Sequence, residues 1–303
     1  MKGGINVLSL FDGMSCGRIV LERAGIKVNK YFASEVDKYA IQVSTDNYPD
    51  TVQVGSVTEL TAKTFKKRRI DLLIGGSPCQ SFSRSGDGSG FDGSSKLFWE
   101  YVRVLKELRE VNPNIKFLLE NVVMKKEWEA VITKELDVSP LLIDSKPVSA
   151  QKRQRLYWTN IEGVGQPEDE NINLKDILTG DHEDISGHEI VVKQDGKDFY
   201  VKNGTKKGYL IANEGDSVNL EFPKSKTRRG RVGKKKTNTL NTACNYGVVF
   251  NNRLVKLNIT ELERLQNIPD GNTSAVSESQ RRKMIGNGWT VDVIAHIFEG
   301  LKK

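Results

Sequence analysis

The sequence predicts an α/β fold: a doubly wound, mainly parallel sheet joined to a small, irregular, β-rich domain. Short apolar runs alternate with helix-period segments from residue 5 to about 160, the pattern of strands and crossover helices. Phe11, Glu35, Cys79 and Glu120 each stand at the carboxyl end of such a run, where open parallel sheets collect their ligands. The composition changes near residue 162. Residues 162–189 hold nine acids and one lysine, and short strand-like runs punctuated by glycine follow. These shifts divide the chain into an α/β domain (1–161), a small β-rich domain (162–255) and helices returning to the first domain (256–303).

With 303 residues, 37% of them hydrophobic, the chain is long enough to bury a substantial core. Three cysteines, at 16, 79 and 244, give no disulfide framework, and three scattered histidines give no metal cluster. A strand pattern begins almost at the first residue, and no apolar run reaches membrane-spanning length. A cytoplasmic protein, nucleoid-associated if bacterial or phage, is the expectation. The net charge of +7 is concentrated. Residues 224–236 carry eight basic side chains and no acid, so without them the balance is 7 − 8 = −1. Such a run is either a solvated tail or a polyanion contact.

Taken in order, Ile5–Leu10 is a strand that enters Phe11-Asp12-Gly13-Met14-Ser15-Cys16-Gly17 and then a helix. Strand, glycine turn, helix suits a nucleotide-like cofactor, although only Gly13 and Gly17 stand where a dinucleotide fingerprint has three glycines. A second strand, Tyr31–Ser34, ends at Glu35, about twenty residues past the turn, where an acid can accept from a ribose diol. After a helix over 37–47, the strand Asp71–Ile74 leads into Gly75-Gly76-Ser77-Pro78-Cys79. Pro78 stiffens the backbone that presents the thiol. Residues 83–95, with four glycines in thirteen, have the composition of a mobile lid. An amphipathic helix over 97–108 precedes the strand Ile115–Leu119, which delivers Glu120-Asn121-Val122. A carboxyl at the end of a buried strand is exposed, paired or protonated, and in the last case it donates. If Gln154–Trp158 is extended, Arg153 and Arg155 point the same way and form a double guanidinium fork. Thr260 and Glu263 read as a capping box, and further helices start at Ser277 and near Trp289.

In this order the motifs Phe11-Asp12-Gly-x-x-x-Gly17, Ser34-Glu35-Val36, Pro78-Cys79-Gln80, Glu120-Asn121-Val122, Gln151-x-Arg153-x-Arg155 and Gly286-Asn287 resemble those of the C5-cytosine DNA methyltransferases. The text around the first three, together with residues 96–105, is most similar to the catalytic domain of the de novo animal enzymes, whereas residues 261–289 resemble the bacterial members. The resemblance covers 5–160 and 236–300, and 162–235 falls where that family keeps its variable target recognition domain. It implies a Rossmann-like methyltransferase fold and methyl transfer from S-adenosylmethionine, leaving S-adenosylhomocysteine, to C5 of a cytosine flipped out of double-stranded DNA. Cys79 is then the nucleophile at C6, Glu120 the group at N3, Arg153 the cation beside the base and Arg155 a support. The implied cofactor residues are Phe11, Asp12, Gly13, Gly17, Glu35, Val36, Ser56, Val57, Pro78, Leu97 and Asn287. Ser83, Ser85, Arg228, Arg229, Arg231, Lys234, Lys235 and Lys236 are the implied nucleic-acid contacts. No metal and no membrane enter this scheme. One departure is Gly55-Ser56-Val57, where the family usually has Gly-Asp to accept the adenine amino group; a hydroxyl accepts more weakly than a carboxylate. A tRNA cytosine-C5 methyltransferase would share every catalytic residue. A silent DNA-binding regulator would be expected to have lost Cys79, Glu120 or Arg153, and a dinucleotide oxidoreductase leaves Pro78-Cys79 and Glu120-Asn121-Val122 unexplained.

Overall fold

The computed structural model describes residues 4–65, 68–78, 90–92 and 96–302. In chain order it contains β1 (Ile5–Leu10), α1 (Cys16–Arg23), β2 (Val28–Ser34), α2 (Lys38–Asn47), β3 (Val52–Gln53), β4 (Leu72–Gly75), α3 (Leu97–Val111), β5 (Lys116–Val122), α4 (Lys126–Leu136), β6 (Leu141–Asp144) and β7 (Gln154–Thr159). There follow β8 (Val191–Asp195), β9 (Asp198–Lys202), β10 (Tyr209–Ala212), β11 (Ser217–Asn219), β12 (Val232–Gly233), β13 (Tyr246–Phe250) and β14 (Arg253–Lys256). Three helices, α5 (Ile259–Leu265), α6 (Glu278–Asn287) and α7 (Val291–Phe298), come last.

The chain divides into two compact units. One comprises Met1–Asp144, Gln154–Gln166 and Val291–Lys303, the other Ser145–Arg153 and Pro167–Thr290. Of the residues beyond 255, which composition returned to the first domain, only α7 groups there. Its Val291, Val293, Ile294, Ile297 and Phe298 are buried, it packs on α1, and Arg23 pairs with Asp292.

In the first unit the strand order is β3-β2-β1-β4-β5-β7-β6. The first five of these pair in parallel, whereas β7 runs antiparallel to both β5 and β6. The chain winds outward in opposite directions from β1 and β4, so the sheet switches between these two strands. Its parallel strands are apolar on both faces; all four residues of β4 are buried. Leu8, Leu73, Phe98, Tyr101, Phe117 and Trp158 belong to one core cluster. The register aligns Ser34, Leu10, Gly75 and Leu119 across neighbouring strands. Glu35, Phe11, Gly76 and Glu120 follow immediately, so the next residue of each strand lies along one edge of the sheet.

The second unit holds two antiparallel sheets, β10-β9-β8 and β12-β11-β13-β14. Ile190, Phe199, Val201, Val218, Leu220, Val249 and Leu254 pack into one core. The capping box of α5 is formed by Asn258 and Glu261, not by Thr260 and Glu263. Glu263 is fully buried and instead accepts from the backbone of Gly271 and Thr273 and from Arg281. Among the described residues no helix is long and apolar enough to cross a membrane, and no group of three or more His, Cys, Asp or Glu is arranged to hold a metal.

Candidate active site

At the sheet edge of the first unit, β1 ends in a turn whose backbone is unusual. Phe11, Gly13 and Ser15 have φ of 56°, 58° and 61°. For Phe and Ser this left-handed geometry is strained, and it persists only where the surroundings hold it. Glu35 supplies part of that hold: one carboxylate oxygen accepts from Gly13 N at 2.8 Å, the other from Val36 N at 2.7 Å and Asp37 N at 2.9 Å. The Asp12 amide reaches the Ser34 carbonyl at 3.2 Å. A Cβ built on Gly13 would meet nothing within 4 Å, so open space lies where a ligand would approach the backbone. Val36, beside it, is 74% exposed although apolar, and Phe11 is half-buried. This edge therefore fits a nucleoside-bearing cofactor, with apolar contacts for a base and a carboxylate for a diol.

The other expected cofactor positions have varied surroundings. The Asp12 carboxyl is buried beneath the turn and bonded to two hydroxyls. Gly17 is excluded from bearing a side chain because a Cβ would lie 2.5 Å from both Ile74 Cδ1 and Tyr31 Oη, so it permits helix–sheet packing. The Ser56 hydroxyl caps Thr58 N at 3.3 Å and shares a hydrogen bond with Thr58 Oγ1, while Val57 is in the core. Pro78 and Leu97 are half-buried, and Leu97 opens α3. Asn287, in the second unit, is exposed at the end of α6.

Two strands from β1, β5 runs through Val122, so Glu120 lies within a paired strand opposite Tyr157 instead of beyond its end. Its Oε1 is 2.9 Å from Arg155 Nε, both side chains being 12% exposed. Asn121, a position for which sequence reasoning named no role, donates from Nδ2 to Ser77 Oγ at 3.1 Å. It fastens the backbone leaving β4, one residue before Pro78, to the strand carrying Glu120. Cys79, Ser83, Ser85 and most of the glycine-rich segment lie outside the described residues. Of the other two cysteines, Cys16 is buried, and burial pushes the Cys244 thiol up to about 12, too high for a nucleophile.

The double fork does not form. Arg155 is turned to Glu120, whereas Arg153 is 4% exposed and donates to the carbonyls of Leu240, Gly286 and Gly288 at 3.1, 3.2 and 2.9 Å. Its planar donors match three buried carbonyls, which commits its charge to the second unit. The basic run is likewise divided. Arg231 is 1% exposed and donates to the carbonyls of Asn219, Glu221 and Phe222; Lys236 is buried against those of Lys146, Ser149 and Ile172. Burial lowers the affinity of both for their protons. Lys234 pairs with Asp216 at 2.6 Å, Lys235 donates to the Glu214 carbonyl, and Arg228 bonds Glu221 and Asn219. Of the expected nucleic-acid residues here, Arg231 and Lys236 are buried, whereas Arg229, Lys234 and Lys235 are exposed.

The β9–β10 loop adds exposed cations to those of the run. Gly204 N donates to the Arg228 carbonyl at 2.7 Å and Arg229 Nε to the Gly204 carbonyl at 3.2 Å, holding the β9–β10 loop against residues 227–229. Lys206 and Lys207 on that loop, with Lys224, Lys226 and Arg229 on the run, are all exposed.

The family model for C-5 cytosine-specific DNA methylases matches residues 5–303. The chain belongs to that family. This methyltransferase is 30% identical to the type II methyltransferase M1.ScrFI of Lactococcus lactis subsp. cremoris over 97% of its own length and 77% of the relative's. It is 33% identical to the orphan methyltransferase M.SPRI of Bacillus phage SPR over 65% of its own length, a match spanning 46% of that protein. A solved structure, a putative DNA modification methyltransferase from an E. coli prophage, superposes with a TM-score of 0.69 at 20% identity, covering 98% of each chain. The enzyme methylates C5 of cytosine and takes the methyl group from S-adenosylmethionine.

Proposed function

We propose that the enzyme methylates cytosine in double-stranded DNA through a covalent adduct of Cys79 at C6. The observation that carries this reading is the pairing of β4 with β5: Gly75 opposite Leu119, Asn121 tied to Ser77, and Glu120 next in line. Cys79 follows Gly75 by four residues in the sequence, and a thiol acting on C6 needs a partner at N3 of the kind that Glu120, held by Arg155, provides. The Cys79 thiolate adds to C6 while Glu120 hydrogen-bonds the N3 side of the ring, leaving C5 enamine-like and nucleophilic. S-adenosylmethionine, when bound, supplies the electrophilic methyl group. Loss of the C5 proton with departure of the Cys79 sulfur restores the aromatic ring. Arg155 orients Glu120 through the 2.9 Å contact. Phe11 and Val36 contact the adenine, Gly13 admits the methionine end, and Glu35 accepts from the ribose. A base within a duplex is inaccessible to Cys79 until it is flipped out. The phage and bacterial relatives favour DNA in the cytoplasm as the place of action.

The test is transfer of a labelled methyl group to genomic DNA and to tRNA, followed by bisulfite sequencing. The expected result is label in DNA at one recurrent sequence. Label confined to tRNA would replace the DNA reading with the tRNA one.

The exposed cations supply a second check. Replacing Lys206, Lys207 and Lys226 by glutamine removes three phosphate contacts, so the log–log salt dependence of DNA binding flattens by roughly 2.7 units. Sequence discrimination changes less than affinity, because lysines on phosphates position a duplex without reading it. An unchanged slope would remove these residues from the interface.

A further inference from the structure

Beneath the cofactor turn lies a group of buried polar side chains that the chemistry above does not use. The Asp12 carboxyl accepts from Tyr31 Oη at 2.6 Å and from Ser15 Oγ at 2.5 Å. Ser15 Oγ is 2.6 Å from Ser44 Oγ of α2, which in turn accepts from Gln53 Nε2 of β3 at 3.3 Å. Tyr31 and Ser15 are fully buried and Ser44 is 1% exposed. The network thus joins the β1–α1 turn to β2, α2 and β3. Gly17 belongs to it by what it lacks, since a Cβ there would lie 2.5 Å from the hydroxyl that Tyr31 presents to Asp12.

Asp12 stands between the two strained non-glycine residues, Phe11 and Ser15, and one of its partners is Ser15 itself. A left-handed turn with bulky or β-substituted residues relaxes unless it is over-determined. Here Glu35 grips it from the ligand side and Asp12 from the core side. We propose that Asp12 and Tyr31 are positioning residues that hold the Phe11–Gly13 turn ready for S-adenosylmethionine, and so set cofactor affinity without taking part in the chemical step. This rests on the placement of the cofactor at that turn.

The charged form of Asp12 makes the stronger clasp, because hydrogen bonds to a carboxylate are charge-assisted. Burial is the main cause that pushes its carboxyl up to about 6. The ionisable groups around it are Tyr31, Glu35 and Arg18, whose guanidinium lies 5.4 Å from the centre of the Tyr31 ring. Below pH of about 6 the acid is protonated, the charge assistance is lost, and the turn loosens. Cofactor affinity therefore falls as the pH is lowered through that value.

The experiment measures S-adenosylhomocysteine binding by calorimetry, and steady-state kinetics in S-adenosylmethionine, for the full chain and for Tyr31→Phe, Asp12→Asn and Glu35→Ala. For Tyr31→Phe the expected result is a KM and a dissociation constant raised about tenfold, with kcat at saturating cofactor changed less than about twofold. The wild type loses affinity below pH of about 6, whereas Asp12→Asn shows no such inflection; one that persisted in this variant would overturn the assignment of the pH dependence to Asp12. Should Tyr31→Phe fail to fold, Ser15→Ala, which removes the other hydroxyl donor, carries the same expectation. Unchanged affinity in Tyr31→Phe alongside weakened binding in Glu35→Ala would overturn the clasp and leave the cofactor placement standing. Unchanged affinity in Glu35→Ala would overturn the placement itself, and a kcat that falls with KM unmoved would assign Tyr31 to the chemistry.

Discussion

Cys79→Ser is expected to lower methyl transfer on the order of 10⁴-fold or more while leaving S-adenosylhomocysteine binding intact. A hydroxyl in place of the thiol is almost wholly protonated near neutral pH and a far poorer nucleophile, so the adduct at C6 does not form. Nothing else in the chain substitutes for it: Cys16 and Cys244 are buried, and the Cys244 thiol stays protonated through the working pH range. Cofactor binding is insulated because the Phe11 turn and Glu35 belong to β1 and β2, on the other side of the switch from β4. The measurement is labelled methyl transfer alongside calorimetric binding. Residual activity within tenfold of the wild type would refute the assignment of Cys79 as nucleophile.

The second large effect is at Glu120. Glu120→Gln preserves shape and still accepts from Arg155, so the fold of β5 and β7 is retained. An amide does not exchange a proton with N3, and kcat is expected to fall about 10²- to 10⁴-fold. On DNA carrying 5-fluorocytosine, where the adduct cannot resolve, the trapping rate should fall in parallel. Equal trapping rates for variant and wild type would place the N3 contact on another residue.

The first unit was legible because its signals are local. Ile5–Leu10, Tyr31–Ser34 and Leu72–Ile74 are apolar runs too short for helices, and the glycine turn and Pro78 punctuate them. The row that gathers Phe11, Glu35 and Glu120 follows from parallel register, which alternation of strands and helices already implies. Partner choice was not legible. Arg153 and Arg155 are two residues apart in similar surroundings, yet one finds three carbonyls and the other a carboxylate, and those partners come from distant segments. Lys236 looks like its neighbours Lys234 and Lys235 until the carbonyls of 146, 149 and 172 close around it. Gly17 was attributed to the cofactor because glycine-rich turns usually owe their glycines to a ligand; its neighbour Tyr31, fourteen residues away, gives a different reason. At α5 the expected Thr260–Glu263 box gives way to Asn258 and Glu261, because Glu263 is buried and bonded to Gly271, Thr273 and Arg281.

The pairing of α1 with α7 also bears on how the enzyme is made. Arg23 and Asp292 are 269 positions apart, and the whole second unit is translated between them. On a ribosome the first five strands emerge early and can cover the sheet-facing side of α1, but the side that faces α7 stays uncovered until α7 appears. That gives the nascent chain a long-range closure of the kind that slows folding and prolongs exposure to aggregation and chaperones. The helix that follows the β1 turn is thus among the last elements of this polypeptide to be fully enclosed during its synthesis.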